Sequence, residues 1–311
     1  MSRAIIYRSF GGPEVLELQD VPEPHAGPGQ VRIKVAAAGL NPMDWAIAQR
    51  PDLAARFGVS LPAGFGFDFA GVVDQAGEGV TDYTVGDRVY GGAMAKAVAD
   101  YIVMPVEHQG SDSMSHTPNG ISDEVAAVLP VAGHTTMACL AKLGLKSGDT
   151  VLVGGAAGGV GIFVVQMARL AGARVIGTAS EATFGFLRDL GVEPVTYGPG
   201  LEERVREMAP DGVTAAIDLF GLETLEAAVA LGVPPERITT IAAGPTPPHG
   251  VRASWGGEAG PDELVAITDA IQAGHVAAPI AATFPIEDIH EAVKLQASRH
   301  AHGKVVIVMS R

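Results

Sequence analysis

The chain has 311 residues, 47% of them hydrophobic and 18% charged, with a formal net charge of −14 at pH 7. This length predicts two domains, and the apolar content predicts globular folding in spite of 40 glycines and 21 prolines. The acidic charge argues against a nucleic-acid partner, because phosphate binding needs a basic surface. The one cysteine, Cys139, excludes a disulfide framework and any cysteine-rich zinc site.

Two stretches bear on where the protein is located. Residues 1–6 lack the long apolar core of a signal peptide and predict a first strand, so we expect a cytoplasmic protein. The run 150–168 carries no charge, but the glycines at its centre predict a strand, a turn and a helix rather than a membrane span. We therefore expect no membrane partner.

The first third of the chain is predicted to be rich in β-structure. Alternating apolar residues predict strands over 3–7, 15–18 and 30–38. The first helix of convincing length is predicted over 44–56, and a further strand over 101–105. This part therefore predicts a β-rich module.

The character of the chain changes near residue 120. Polar residues over 113–120 predict a linker, and Ser122 is the predicted N-cap of the next helix, so we place a domain boundary here. Apolar strands then alternate with helical segments. The proline- and glycine-rich stretch 245–261 predicts a mobile flap, followed by a helix over 262–273.

The segment 149–179 carries the most specific pattern in the chain. Val151-Leu152-Val153 predicts a buried strand, followed by a glycine turn, a helix and a second strand over 174–179. Residues 156–161 fit the frame G-x-G-x-x-G, with Ala156 in the place of the first glycine. This complete βαβ context predicts a dinucleotide whose pyrophosphate lies on free N–H groups at the start of the helix. An ordinary glycine-rich turn is the alternative interpretation.

Several motifs follow one another along nearly the whole chain, namely FGGPEVLEL (10–18), VRIKVAAAGLNPMDW (31–45), GFDFAGVVDQAGEGV (66–80), VGDRVYG (85–91), LPVAGHTT (129–136), GAAGGVG (155–161) and HGKVVIVM (302–309). In this order they resemble the medium-chain dehydrogenase/reductase superfamily, and most closely its zinc-independent quinone oxidoreductases. The resemblance implies an α/β fold with a Rossmann doubly wound parallel sheet plus a GroES-like β-rich domain. It implies a GroES-like substrate domain over 1–118 and 272–311, a Rossmann NADP-binding domain over 119–271, and a homodimer.

The resemblance also allows a test for metal. Zinc-using relatives place a cysteine, a His-Glu pair and a second cysteine where this chain has Asn41, Phe67-Asp68 and Val131. Zinc needs three or four converging N, S or O ligands, and the histidines of this chain are scattered. We therefore predict no metal.

Three residues are candidates for catalysis. The resemblance implies that Asn41 contacts the nicotinamide or the substrate carbonyl, and Asp44 belongs to the same substrate-side motif. Asp44 has a local alternative as the cap of the helix that begins here. His134 lies in a segment that passes the nicotinamide in the family, which makes it a candidate proton donor. The alternative for His134 is a histidine turned outward at a helix start.

The end of the second Rossmann strand decides which nicotinamide cofactor fits. An NAD enzyme needs an acid there, whereas Ala179 and Ser180 leave room for a 2′-phosphate. Tyr197 matches a family tyrosine that contacts this phosphate, so we predict NADPH, although Glu181 would repel phosphate if it pointed inward. The predicted cofactor contacts are Thr135, Gly155, Ala156, Ala157, Gly158, Gly159, Val160, Gly161, Ser180, Tyr197, Ala242, Ala243, Gly244, Phe284 and Lys304.

Together these features predict an NADPH-dependent oxidoreductase that transfers hydride to a quinone or an α,β-unsaturated carbonyl. Without zinc no Lewis acid polarises a simple ketone, whereas a conjugated acceptor spreads the negative charge onto its oxygen. Two alternatives stay open. One is a tailoring enoyl reductase of a secondary-metabolite pathway. The other is a non-redox cyclase or cofactor-binding sensor. Ala46 is consistent with this alternative, because many relatives carry a lysine at this position.

Overall fold

The computed structural model describes residues 1–107, 112–260 and 263–309. The chain forms two compact units, the first made of Met1–Val131 and Ile280–Arg311 and the second of Ala132–Pro279. Both ends of the chain therefore belong to one unit. Both boundaries lie further along the chain than the ones expected after residues 118 and 271.

Local contacts explain the position of both boundaries. Gly39 leaves no room for a side chain, because a Cβ atom there would lie 2.2 Å from the carbonyl oxygen of Ala127. The segment that follows the predicted linker is therefore packed directly on the first unit. Before the second boundary, Gln166 accepts a hydrogen bond from Ala277 N at 2.8 Å and donates one to Ala277 O at 2.9 Å. This pair of bonds keeps the segment in the second unit.

Strands and helices are numbered along the whole chain. The strands are β1 (Ser2–Tyr7), β2 (Glu17–Val21), β3 (Gln30–Leu40), β4 (Ala63–Gly64), β5 (Asp68–Ala76), β6 (Arg88–Gly92), β7 (Tyr101–Pro105), β8 (Ser113–His116), β9 (Thr150–Gly154), β10 (Arg174–Ala179), β11 (Glu193–Thr196), β12 (Ala215–Asp218), β13 (Ile238–Thr240), β14 (Arg252–Ala253), β15 (Ile280–Pro285) and β16 (Lys304–Val308). The α-helices are α1 (Pro42–Gln49), α2 (Pro51–Arg56), α3 (Asp123–Ala126), α4 (Pro130–Leu143), α5 (Gly161–Leu170), α6 (Phe184–Asp189), α7 (Leu201–Met208), α8 (Glu223–Ala230), α9 (Glu263–Gln272) and α10 (Ile289–Ala297). In the described ranges, no helix has both the length and the apolar character that crossing a bilayer requires.

The predicted helix over 44–56 is two helices in the structure. Arg50 ends α1 with an extended backbone, and Pro51 begins α2 at the first helical position. Proline suits that position because its missing N–H would have no partner there. The predicted strand over 15–18 also differs, since a short 3₁₀ turn occupies Pro13–Val15 and β2 begins only at Glu17.

The first unit contains a seven-stranded sheet and a three-stranded sheet. The larger has the order β15-β16-β3-β5-β6-β8, with β7 also paired to β3, and the smaller has the order β2-β1-β4. Along β3, Val31, Ile33 and Val35 are buried in the core, as the period of two in a strand requires. Strand β16 runs antiparallel to β3 with Val305 opposite Leu40. This register brings the start of β16 beside the end of β3.

The second unit is built on one parallel sheet. Its order is β11-β10-β9-β12-β13-β14, and each neighbouring pair is parallel. Counted from β9, this is the order 3-2-1-4-5-6 of the Rossmann fold. Val151, Leu152 and Val153 of the central strand are fully buried, as expected for a strand covered on both faces. The prediction of an α/β Rossmann fold with a β-rich companion is confirmed.

The stretch that was predicted as a mobile flap is largely built into the second unit. Strand β14 pairs in parallel with β13 at the sheet edge. The hydroxyls of Thr239 and Ser254 lie 2.8 Å apart and are buried, and Lys142 forms an ion pair with Glu258 at 2.7 Å. The interpretation as a flap is therefore wrong for this part, because proline and glycine here make turns between anchored segments. Residues 261 and 262 lie outside the described residues.

Candidate functional site

The glycine turn after β9 is tied to the neighbouring strand β10. Gly155 has a φ of +68°, which favours glycine, and its N–H donates to the Thr178 hydroxyl at 3.0 Å. Ala156 N donates to the Thr178 carbonyl at 3.3 Å, and the Ala156 side chain is fully buried. Ala156 was expected to contact the cofactor. The structure instead uses both its N–H and its side chain to join the turn to the sheet.

Gly161 allows the helix α5 to begin directly against this turn. A Cβ atom at Gly161 would lie 2.3 Å from the carbonyl oxygen of Gly155 and 2.6 Å from that of Ala156. Both contacts are with backbone atoms, which cannot rotate away. At Gly158 a Cβ atom would lie 3.2 Å from the Gly155 oxygen, so this position is tight but less restrictive. Glycine is therefore required at the third position of the fingerprint.

The N–H groups that open α5 form the part of the turn that can bind an anion. Within the described ranges, the N–H groups of Ala157, Gly159, Val160 and Gly161 have no hydrogen-bond partner. They precede or begin a helix of ten residues, whose dipole places positive charge at this end. Free N–H groups at such a terminus fit a pyrophosphate. The turn therefore has the chemistry that a dinucleotide requires.

A buried hydrogen-bond chain connects two further turns at the carboxyl ends of β12 and β13. Asp218 accepts from the N–H of Gly221 at 3.2 Å and from the Thr240 hydroxyl at 2.7 Å, and burial raises the pKa of this carboxyl. The Thr240 oxygen in turn accepts from the N–H groups of Ala242 and Ala243, each at 3.1 Å. Ligands bind at these ends of an open α/β sheet. Asp218 and Thr240 shape that edge, and the sequence analysis missed them.

The residues predicted at the adenosine end of the cofactor lie at the ends of β10 and β11. Ala179 and Thr196 are paired in register, so Ser180 and Tyr197 leave the sheet side by side. The Ser180 hydroxyl lies 2.8 Å from that of Thr183. Tyr197 is 57% exposed. These positions are accessible to a ligand. Glu181, which would repel a phosphate if its side chain pointed inward, is exposed as well.

The first unit holds a buried polar network around Asn41. Lys304 Nζ donates to Asn41 Oδ1 at 2.6 Å, and Asn41 Nδ2 donates to Asp68 Oδ2 at 2.8 Å. The ammonium lies 3.9 Å from the same Asp68 oxygen. Asn41, Asp68 and Lys304 are only 2%, 0% and 3% exposed. Lys304 was expected to contact a cofactor phosphate, but the register of β16 against β3 directs its amine into this network instead.

Asp68 also binds the start of α4. Its Oδ1 accepts from Val131 N at 3.0 Å, so a carboxylate caps the positive end of a helix. Burial raises the pKa of Asp68 to about 6, against the opposing effect of the Lys304 ammonium. Burial likewise lowers the pKa of Lys304, against the opposing charges of Asp68 and Asp44. Asn41, Asp68 and Lys304 therefore satisfy one another in a site without bulk water.

Asp44 lies at the start of α1 beside this network. Its Oδ2 accepts from the N–H of Asn41 at 2.7 Å, so the capping interpretation of Asp44 is what the structure shows. Burial raises the pKa of Asp44 to about 8, although the Asn41 N–H lowers it. A cavity of about 10 Å³ is lined by Asp44 together with Tyr7, Phe65 and Met94. That volume is close to the space one water molecule needs.

Replacing Asp44 by asparagine tests this pKa shift. The folded-state pKa, about 8, lies above the ordinary value of 3.8. The folded protein therefore binds more protons over this window, and rising pH lowers the free energy of unfolding. We expect Asp44→Asn, which keeps the capping oxygen, to remove a slope of up to about 1.4 kcal/mol per pH unit in urea unfolding. The exposed substitution Glu78→Gln is the control, and an unchanged Asp44→Asn profile would contradict the shift.

His134 and Thr135 lie on the part of α4 that belongs to the second unit. Thr135 is buried and His134 is half-buried. Both pack against Gly256, where a Cβ atom would lie 3.2 Å from Thr135 Oγ1 and 3.3 Å from His134 Cβ. His134 is therefore not fully turned outward. Phe284, another predicted cofactor contact, is half-buried on β15 in the first unit.

The described residues were expected to hold no metal ion, and their arrangement bears on that expectation. Across the residues it describes, no three His, Cys, Asp or Glu side chains are arranged to hold a metal ion. At the positions of the zinc ligands in relatives, the first unit has an amide, a carboxylate and a backbone N–H. A lysine ammonium lies beside that carboxylate and competes for it. This donor set does not fit zinc.

Comparison with known proteins identifies the family. The alcohol dehydrogenase GroES-like domain matches residues 27–129, and the zinc-binding dehydrogenase family matches residues 159–255. An NADPH-dependent alkenal/one oxidoreductase of Arabidopsis thaliana is 30% identical over 322 residues, which cover 98% of this chain and 79% of that protein. A Pseudomonas aeruginosa quinone oxidoreductase is 38% identical over 183 residues, which cover 58% of this chain and 54% of that protein. The match therefore spans about half the length of this relative.

A solved structure extends this likeness to three dimensions. A mycobacterial protein complexed with NADPH superposes with a TM-score of 0.84 and 28% identity. The match covers 99% of this chain and 100% of that one. The chain belongs to the medium-chain dehydrogenase/reductase superfamily, in its quinone oxidoreductase-like branch.

Proposed function

We propose that this protein is an NADPH-dependent reductase that delivers hydride to a quinone or an α,β-unsaturated carbonyl without zinc. The observation that carries the proposal is the start of α5. Free N–H groups there follow a turn that admits only glycine at position 161. Relatives named for quinone and alkenal/one reduction support the class of acceptor.

Residues of the second unit would hold the cofactor. The free N–H groups of Ala157, Gly159, Val160 and Gly161 would bind the pyrophosphate, and Ser180 and Tyr197 would face the 2′-phosphate. Thr135 and the turn Ala242–Gly244 would contact the nicotinamide. The N–H groups of Ala242 and Ala243 already bind Thr240, so this turn has its carbonyl groups to offer. When bound, NADPH supplies the hydride, and the protein supplies orientation and electrostatics.

The protein must stabilise the negative charge that grows on the acceptor oxygen. In place of a metal, we propose a hydrogen bond from Asn41. Lys304 and Asp68 bind one oxygen and one N–H of its amide, which fixes the amide orientation and leaves a second N–H. An oriented donor of this kind typically contributes about 10²–10³ in rate. Asn41→Ala is therefore expected to lower kcat by that factor.

Reduction of a conjugated carbonyl also consumes a proton. Hydride forms a bond to the β-carbon, the electron pair of the C=C bond moves toward oxygen, and a proton is then added at the α-carbon. We propose Asp44 as the source, because burial raises its pKa to about 8 and keeps the carboxyl neutral near pH 7. His134 is the second candidate. Turnover and cofactor binding of Asp44→Asn and His134→Gln are compared at saturating NADPH. The proton donor is the residue whose replacement abolishes turnover but leaves cofactor binding unchanged.

The proposal is tested by assaying NADPH oxidation with a panel of quinones and enones, after extensive dialysis against a chelator. We expect turnover with at least one acceptor class, unchanged by the chelator. NADPH that binds but is never oxidised would favour the non-redox cyclase or sensor. Turnover with one elaborate enoyl substrate only would favour a tailoring enoyl reductase. We also propose a homodimer, on the family resemblance alone, and sedimentation tests that part separately.

A further inference from the structure

Arg204 in α7 binds the backbone of the loop between β11 and α7. Its Nη2 donates to the carbonyl oxygens of Thr196 and Gly198, each at 2.9 Å, and to that of Tyr197 at 3.3 Å. Its Nη1 donates to the Pro199 carbonyl at 2.8 Å. Four consecutive carbonyl groups therefore converge on one guanidinium. The loop that carries Tyr197 is built around this side chain.

The charge of Arg204 is not neutralised by an acid. No carboxylate of the described residues forms an ion pair with it, although its neighbour Arg206 pairs with Glu202. Carbonyl groups orient the guanidinium but carry no net charge, so the loop retains a half-buried positive charge. One acid, Glu223, binds the same loop, where it accepts from Gly198 N at 2.5 Å. The positive charge of Arg204 is therefore available to attract an anion at the loop surface, whereas the carboxylate of Glu223 would repel that anion.

This charge lies next to the place where the cofactors NADPH and NADH differ. In a Rossmann fold the end of the second strand faces the adenosine ribose, and here that end is Ala179 followed by Ser180. Ala179 is in register with Thr196, whose carbonyl binds Arg204 through both Nε and Nη2. Residues 181–183, which follow Ser180, include no cation. The fold supplies one from α7, the helix that follows the neighbouring strand β11.

We propose that Arg204 determines the preference for a cofactor with a 2′-phosphate, through its charge and by positioning Tyr197. The inference rests on the proposed NADPH dependence and adds the residue responsible for it. Arg188, a basic residue of α6, lies over the ring of Phe184 at 5.5 Å and is exposed. Exposed charges interact weakly because water and salt screen them, whereas a half-buried charge is screened less.

The test measures cofactor binding rather than turnover. Affinities for NADPH and NADH are determined by nicotinamide fluorescence for the unmodified protein, Arg204→Gln and Arg204→Lys. We expect Arg204→Gln to bind NADPH about tenfold more weakly, the effect of losing one charged hydrogen-bonding partner, with NADH affinity unchanged within about twofold. Arg204→Lys, which keeps the charge, should retain most of the preference. Arg206→Gln and Arg188→Gln are matched controls and should change neither affinity.

Competition with 2′-AMP and 5′-AMP separates this inference from the proposed function. The unmodified protein should bind 2′-AMP more tightly, and Arg204→Gln should lose that difference. Equal weakening of NADPH and NADH in Arg204→Gln would show a role in loop structure alone and overturn the inference while leaving NADPH dependence intact. An unmodified protein that does not distinguish the nucleotides would overturn both. Thermal unfolding of each variant confirms that the comparison is made on folded protein.

Discussion

Replacing Lys304 by methionine is expected to lower the free energy of unfolding by about 3–5 kcal/mol, because it leaves a buried carboxylate without its cation. Lys304 and Asp68 are 3% and 0% exposed, so bulk water cannot solvate the remaining charge. Asn41 loses the donor to its oxygen at the same time. The network joins β16 to the end of β3, the start of β5 and the start of α4, so its loss affects several elements together.

Matched variants separate charge from packing in this experiment. Asp68→Asn alone should destabilise the protein by a similar amount, because it leaves the ammonium of Lys304 without its counterion. The double variant Lys304→Met/Asp68→Asn should be more stable than the sum of the two changes predicts, since no unpaired charge remains. Lys294→Met, at an exposed ion pair, should change stability by less than about 0.5 kcal/mol. A loss below about 1 kcal/mol for Lys304→Met would contradict the network.

Gly161→Ala is expected to lower the affinity for NADPH by about a hundredfold, because displacing binding groups by around 1 Å costs about that much. A Cβ atom at this position would lie 2.3 Å from the Gly155 oxygen. The clash is with backbone, so the turn or the start of α5 must move. Either movement displaces the N–H groups that we assign to the pyrophosphate. The measurement is a fluorescence titration with NADPH, accompanied by urea unfolding.

Gly185 provides the matched control for this substitution. It lies inside α6, and a Cβ atom there meets nothing within 4 Å. Gly185→Ala should stabilise the protein by about 0.4–1 kcal/mol, because alanine restricts the unfolded chain, and should leave NADPH affinity unchanged. If Gly161→Ala binds NADPH as well as Gly185→Ala does, the assignment of the α5 turn to the pyrophosphate is wrong.

The Rossmann part of the fold could be predicted because its signals are local. The buried strand, the glycine turn and the next strand lie within 149–179, and the structure places β9, α5 and β10 there. Two predictions that failed, the flap over 245–261 and the single helix over 44–56, depended on composition. Proline and glycine mark turns, but they do not say whether the chain between the turns joins a sheet, as β14 does.

The network around Asn41 could not be predicted from sequence. Lys304 and Asn41 are 263 positions apart, and only the register of β16 on β3 brings them together. The resemblance to a family carried a phosphate role for Lys304 that does not survive this placement. Asp218 and Arg204 were missed for a related reason. Each acts on backbone groups of a neighbouring turn or loop, and such contacts leave no pattern in the sequence.

The transfer of deuterium from the C4 position of labelled NADPH to an enone tests the central claim most directly. Two stereospecifically labelled forms of NADPH are each incubated with the protein and an accepted enone, and the product is analysed by mass spectrometry and NMR. The proposal predicts deuterium at the β-carbon of the product from one of the two forms, and an α-carbon hydrogen that comes from solvent. A product without deuterium from either form would show that the protein does not transfer hydride from NADPH.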